Sequence, residues 1–404
     1  MVIIYPVIEL NDLIYAHRYG WLDALTRVTE GVMLRPERAL GHVFKSGKTI
    51  KGYLVQMYGL PQGPLDRLRI MLDHGINAPS FRKTFGLDKT PRNLVKVYSS
   101  LGTDMGIALD VPARLYLSAV VDMIADGDTE VYVDESVKDI IGEVAEIIKE
   151  RLRDNLSDSN ALGQEAVRRR VRERAMFMAV SDPDVQGLLR ELSAVSVEET
   201  VKRLKEMVRH AQRLGFKGLV PVIQGLFKDD IERCIRETVE VMAQYSNEFT
   251  VAIGTGGRML SREDVENIRF AIAKIKEHAA KNNVNARVHL LGWSSPNRLW
   301  NAEVLKDVYS ADSLTVRRRA VEGRVFVIKG NSIGLIHVSR LRDINCGCPA
   351  CSDPVLRRYV LDPSGARRSD VRMVHNVYTV TKFLNEINKR VWGTNIRWND
   401  LWRA

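Results

Sequence analysis

Cysteine is scarce: the 404-residue chain has only four. Three of them, Cys346, Cys348 and Cys351, crowd into one short stretch, so Cys234 stands alone and a disulfide framework is excluded. Long apolar runs are missing as well. None approaches the ~18 residues that a membrane-spanning helix needs, and no membrane partner is expected. Internal repeats and low-complexity tracts are absent, which argues against a solenoid or a repeat array. The opening Met1-Val2-Ile3-Ile4-Tyr5-Pro6 has neither a basic n-region nor a small-residue cleavage site, so the expectation is a soluble, cytoplasmic protein.

What the chain does have is an excess of positive charge, 60 Lys and Arg against 50 Asp and Glu, a formal +10. Clustered basic residues favour a polyanionic partner, and nucleic acid is the natural candidate. A 27% charged composition also fits the solvated surface of a thermophile's protein. The densest basic run, Arg168 to Arg174, suits either a solvated helix face or a phosphate-contacting arm.

The cysteine cluster reads Cys346-Gly347-Cys348-Pro349-Ala350-Cys351, with His375 further on. Three thiolates and one imidazole complete a tetrahedral shell for a structural Zn2+, with no position left open for chemistry. Ordinary buried thiols and a core histidine are the alternative, but such thiols do not usually crowd three into six positions.

Short apolar segments recur at Gly52 to Gly59, Arg69 to Gly75, Met105 to Pro112, Gly218 to Gly225, Phe249 to Gly257, Arg287 to Trp293 and, more weakly, Ala311 to Thr315. Most precede a helical pattern, which reads as a parallel sheet covered by helices. Seven or eight such units predict an α/β fold, a (β/α)8 TIM barrel. Asp73, Asp110, Gln224, Gly254 and Asp312 fall at the C-terminal ends of these segments, the rim where barrels carry their chemistry. Val2 to Leu10 and Val43 to Lys51 predict an N-terminal antiparallel β cap over 1–51. The barrel then spans 52–340, with a helical insertion at 136–214 that is too long for an ordinary crossover. Residues 341–404 form the zinc-binding subdomain and C-terminal helices.

A rim carboxylate such as Asp312 can attack an electron-poor carbon and hold a covalent intermediate, provided that a second carboxylate manages protons. Asp73 suits that second role. Taken singly, each Asp also fits a helix N-cap, but three on separate strand ends favour chemistry.

These residues resemble the tRNA-guanine transglycosylase superfamily, enzymes that exchange guanine in a polynucleotide for a 7-deazaguanine base without cutting the backbone. Thr103 to Pro112 is similar to the D-I-G-x-x-L-D-I-P segment of the archaeal branch, Val222-Ile223-Gln224-Gly225 to V-Q-G, and Ala252-Ile253-Gly254 to the A-I/V-G-G turn. Leu290 to Pro296 resembles L-M-G-V-G-T-P, and Ala311-Asp312-Ser313 the nucleophile site. The cysteine cluster with His375 looks like the family's metal site. The pieces run colinearly from about Gly52 to about Lys382, with the insertion unmatched.

The resemblance implies that Asp312 attacks C1′ and that Asp73 is the general acid and base. Asp110 would bind the donor edge of the base, with Gln224, Gly225, Gly254 and Thr255 completing the pocket. Trp293 and Tyr309 are candidate aromatic walls for a nucleotide drawn out of its stack. Arg317, Arg318 and Arg319 are a candidate phosphate clamp.

Two departures from the family pattern touch the pocket: the D-S-G segment reads Asp73-His74-Gly75, and Thr255 replaces a second glycine. The tRNA-binding C-terminal domains of archaeal members are not expected to follow. Together these features put DNA first as the substrate, through a preQ0-like base, with tRNA as the alternative. A non-catalytic zinc-containing partner subunit and a plain glycoside hydrolase are the readings from other classes. The resemblance also makes a homodimer one expected state.

Overall fold

A computed structural model describes residues 2–75, 78–126, 133–153, 171, 173–175, 177–178, 181–254, 262–292, 306–330, 332–363 and 369–393. Nine parallel strands form one sheet: β1 (Ile3–Ile8), β2 (Gly31–Leu34), β3 (Arg69–Leu72), β4 (Met105–Ile107), β5 (Leu219–Val220), β6 (Val222–Ile223), β7 (Glu248–Gly254), β8 (Asn285–Leu291) and β9 (Ser310–Ser313). Their order is β5-β4-β3-β2-β1-β9-β8-β7-β6. The two ends of that order, β5 and β6, are separated in the chain by Pro221 alone. Proline has no N–H to donate, yet its carbonyl accepts from Ala252 N at 2.8 Å. The sheet is therefore nearly closed into a barrel, and β5 and β6 act as one stave among eight.

Strand alternation sorts side chains between two cores. From β1, Ile3, Tyr5 and Val7 point into the barrel beside Met33, Met71, Met105 and Val222. Ile4 and Ile8 point outward into the larger core made with the helices. Both faces of β1 and β2 are buried, as a helix-covered parallel sheet requires.

The expected antiparallel cap over 1–51 is not seen. β1 and β2 belong to the parallel sheet, with Val7 opposite Met33, and β1 also pairs with β9, Tyr5 opposite Asp312. The segments expected as strands at Val43 to Lys51 and Gly52 to Gly59 lie largely in the helices Arg38–Lys45 and Ile50–Tyr58. Local signals explain the second case. Thr49 caps the helix by accepting from Gly52 N at 3.1 Å, and Gly59 ends it at φ +68°, a conformation that glycine adopts without strain.

The expected insertion is only partly separate from the barrel. The Pro183–Leu214 helix packs its second half, through Val197, Val201, Leu204 and Met207, into the main core as the crossover helix before β5. Its first half, with Val185, Leu189 and Leu192, joins the helices Ala113–Asp126 and Lys138–Arg153 in a distinct apolar cluster.

After β9 and the Thr315–Val321 helix comes an antiparallel hairpin, β10 (Arg324–Lys329) with β11 (Ser332–His337). The Ser369–Gly393 helix then packs against the Thr315–Val321 helix, β10 and β1. Among the described residues no helix is long and apolar enough to cross a membrane.

Candidate active site and metal centre

The strand direction gathers Asp73, Asp110, Gln224, Gly254 and Asp312 at the C-terminal rim: Asp73 just after β3, Asp110 after β4, Gln224 after β6, Gly254 closing β7, and Asp312 in β9. Thr255 and Trp293 lie outside the described residues, as do Arg168, Arg169, Arg170 and Arg172.

Asp110 and Gln224 meet directly. Gln224 Nε2 donates to Asp110 Oδ2 at 2.6 Å, and His74 Nε2 lies 3.2 Å from Asp110 Oδ1. All three side chains are buried or nearly so. The pair presents carboxylate and amide groups together, which suits the donor-rich edge of a guanine-like ring. Gly254 borders it, since a Cβ there would lie 3.8 Å from Gln224 Nε2. Gly225 has φ +133°, and a Cβ would stand 2.9 Å from Ile231 N, so only glycine fits this turn.

One helix face holds both halves of the pocket. On the Pro183–Leu214 helix, Ser193, Ser196 and Thr200 are fully or nearly fully buried, and their spacing puts them on one side. Thr200 Oγ1 accepts from Val111 N at 2.9 Å, Ser196 Oγ donates to Val111 O, and Ser193 Oγ accepts from Leu226 N at 2.9 Å. The residues just after Asp110 and Gln224–Gly225 are thus pinned to the same element.

A cleft of roughly 200 Å³ opens beside Asp110, lined by His74, Lys89, Leu109, Tyr116, Asp134 and Arg203 among others. Arg203 forks onto Asp134, with both contacts at 2.8 Å. Burial works against ionisation of Asp134, but hydrogen bonds from Arg203 and Ser136 outweigh it and hold its carboxyl down to about 2. Lys89 Nζ donates to the Gly75 carbonyl. Burial pulls the Lys89 amine down to about 8, against the attraction of Asp110, Asp73 and Asp134. Asp73 itself is half-buried, and its Oδ1 accepts from Gly75 N at 3.1 Å. Sequence reasoning missed Lys89, Asp134 and Arg203, because a lysine between two helices and an arginine within a long charged helix carry no local signal of a pocket.

Asp312 is 7% exposed, and its Oδ1 accepts from Gly292 N at 2.7 Å. His289 Nε2 lies 3.4 Å from the same oxygen. This histidine was also missed, although its place in the apolar segment Arg287 to Trp293 marks it as unusual.

Tyr309, expected as a wall for the target nucleotide, sits at the opposite end of the barrel. Its hydroxyl meets Glu30 at 3.2 Å and Arg69 at 3.4 Å, where β2 and β3 begin. The strand direction alone puts Tyr309, three residues before Asp312, at the far mouth. The arginine run stands among carboxylates. Arg317 contacts Asp12 at 2.9 Å and Glu9 at 3.3 Å, whereas Arg318 and Arg319 contact Glu322 at 3.1 and 2.6 Å.

Ligand atoms of Cys346, Cys348, Cys351 and His375 all lie within 4.8 Å of one another. Cys348 and Cys351 Sγ are 3.6 and 3.3 Å from His375 Nδ1, close to the ~3.5 Å edge of a tetrahedron with zinc-like bond lengths. Hydrogen bonds from Cys348 and Cys351 pull the Cys346 thiol far below its usual range. His375 Nε2 donates to Phe326 O at 2.8 Å, which leaves Nδ1 for the metal. The donor set and its spacing are those of a structural zinc site, with Cys348 and Cys351 at the Pro349–Ser352 helix and His375 on the Ser369–Gly393 helix. The next residue, Asn376, accepts from Phe326 N and donates to Val316 O, tying the site to the helix that follows Asp312.

A family model described as "TGT: Queuine tRNA-ribosyltransferase" matches residues 175–396, more than half of the chain. The matched span includes Gln224, Gly254, Asp312 and the four metal ligands, while Asp73 and Asp110 precede it. No curated protein matches the chain.

Proposed function

Because the chain belongs to the queuine tRNA-ribosyltransferase family of guanine transglycosylases, we propose that it replaces guanine in a nucleic acid by a 7-deazaguanine base through an ester on Asp312. Family membership makes a nucleic acid and a guanine-like base its ligands. A carboxylate oxygen of Asp312 attacks C1′ as the C1′–N9 bond breaks, and the departing N9 takes a proton from Asp73. The incoming base returns a proton to Asp73, its N9 attacks C1′, and the ester opens to regenerate the Asp312 carboxylate. Asp110 and Gln224 hold the base edge, and Gly225 and Gly254 give it room. Zinc supplies no step: with four protein ligands it braces the end of the barrel.

The observation that carries this reading is the 2.6 Å Gln224–Asp110 contact, on the same barrel rim as Asp312. For the substrate, DNA with a preQ0-like base comes first. His74 against Asp110 gives the base pocket a neighbour that the family's D-S-G segment lacks, and the insertion lines the same cleft through Arg203. The second reading is tRNA, favoured by the description of the matching family.

The test supplies labelled guanine with duplex DNA, single-stranded DNA or tRNA, and traps a denaturation-resistant adduct. Label and adduct with DNA, both lost in Asp312→Asn, are expected. Label entering tRNA alone overturns the DNA preference. No label in any of the three, or an Asp312→Asn variant that still exchanges, overturns the mechanism.

A further inference from the structure

His289 is fully buried in β8, opposite Ser310 on β9 and Ala252 on β7. The barrel interior around this level is mostly apolar, with Val7, Met33, Met71 and Val222, and the Tyr5 ring centroid lies 6.0 Å from the imidazole. An imidazole in such a place is costly unless its nitrogens find partners. Nδ1 has one, Ser310 Oγ at 2.8 Å. Among the described residues Nε2 makes no hydrogen bond of good geometry, yet the carboxylate oxygen Asp312 Oδ1 stands 3.4 Å away.

We infer that His289 is a positioning residue for the nucleophile, holding Asp312 Oδ1 through an Nε2–H whose tautomer is set by the Ser310 hydroxyl. The inference rests on Asp312 being the nucleophile. The opposite tautomer would aim an Nε2 lone pair at a carboxylate oxygen, which is repulsive, while Ser310 Oγ can donate to a bare Nδ1. Gly292 N–H already donates to Oδ1 at 2.7 Å. With His289 as a second donor, that oxygen is fixed from two adjacent points and the carboxylate plane keeps its orientation between ester formation and ester cleavage. The donor also favours the carboxylate over the ester, so it aids release of Asp312 in the second half-reaction. A histidine that merely filled the core would need no carboxylate at Nε2.

Two variants separate positioning from packing. His289→Leu keeps bulk and loses the donor, whereas His289→Gln retains an Nε2 donor at similar reach. The expected result is a fall in kcat for guanine exchange of roughly 10- to 100-fold in His289→Leu, the scale of a misplaced reacting group. Most of the rate should return in His289→Gln, with KM for guanine unchanged in both. Equal rates in the two variants, or KM rising in step with kcat falling, would overturn the proposal. A second measurement does not depend on activity. Nitrogen NMR of 15N-histidine-labelled protein should show His289 as the Nε2–H tautomer, with a resonance that moves in Asp312→Ala. An Nδ1–H tautomer would overturn the contact. A wild-type protein that exchanges no base but shows the Nε2–H tautomer would refute the functional reading and leave the contact standing.

Discussion

Gln224 Nε2 donates to Asp110 Oδ2 at 2.6 Å across 114 positions of sequence. The contact joins the end of β6 to the segment after β4, neighbouring staves once β5 and β6 are taken as one. It fixes the carboxylate before any base arrives, so binding need not pay the full cost of ordering it.

Gln224→Leu removes that donor and one side of the pocket. A hydrogen bond to a charged group contributes about 1.5–3 kcal/mol, so KM for the base should rise by roughly 10- to 100-fold while Tm changes little. Steady-state kinetics with guanine check this. An unchanged KM would mean that the pair does not face the base.

The hydroxyls of Ser196 and Thr200 hold the backbone of Val111. The double substitution Ser196→Ala with Thr200→Val leaves two backbone groups without their partners, at about 1–3 kcal/mol each. Tm should fall and KM for the base should rise, because Asp110 is the preceding residue. If only Tm responds, the helix face has a structural role alone.

Metal removal should act on stability first. Chelation, or Cys351→Ser, is expected to cost several kcal/mol, since binding energy at a structural zinc site is folding energy. Metal analysis should find one zinc per chain before chelation. A Tm that survives chelation unchanged would exclude a bracing role.

Lys89 gives stability a pH signature. Its amine is about 8 in the folded protein against 10.5 for the free side chain, chiefly through burial. Between those values the unfolded chain binds more protons than the folded one, so this group makes stability rise with pH. Below pH 8 both states are charged and the burial cost is fully present. Denaturation of wild type and Lys89→Met across pH 7 to 11 should show wild type gaining on the variant through that window. A constant difference would place the amine in water.

Much of the candidate site was legible in the sequence. Asp73, Asp110, Gln224, Gly254 and Asp312 end apolar segments, and a parallel barrel sends all such ends to one rim. The metal ligands were equally plain, because three thiols in six positions have few other uses. Misreadings came where local apolarity was ambiguous. The Gly52 to Gly59 run has strand-like composition, yet Thr49 and Gly59 are helix caps, and those two signals outweighed it.

The sequence by itself determined the chemical inventory: which carboxylates end strands, which thiols can share a metal, and where glycine is needed. Tertiary structure decided direction and company. β1 and β2 became barrel staves because pairing with β9 and β3 buries both of their faces, which no pattern within 1–51 can reveal. Lys89 reached the cleft, and His289 came to lie beneath Asp312, through contacts between distant elements. Such contacts depend on which strands become neighbours when the sheet curls toward closure, a property of the whole chain and not of any segment.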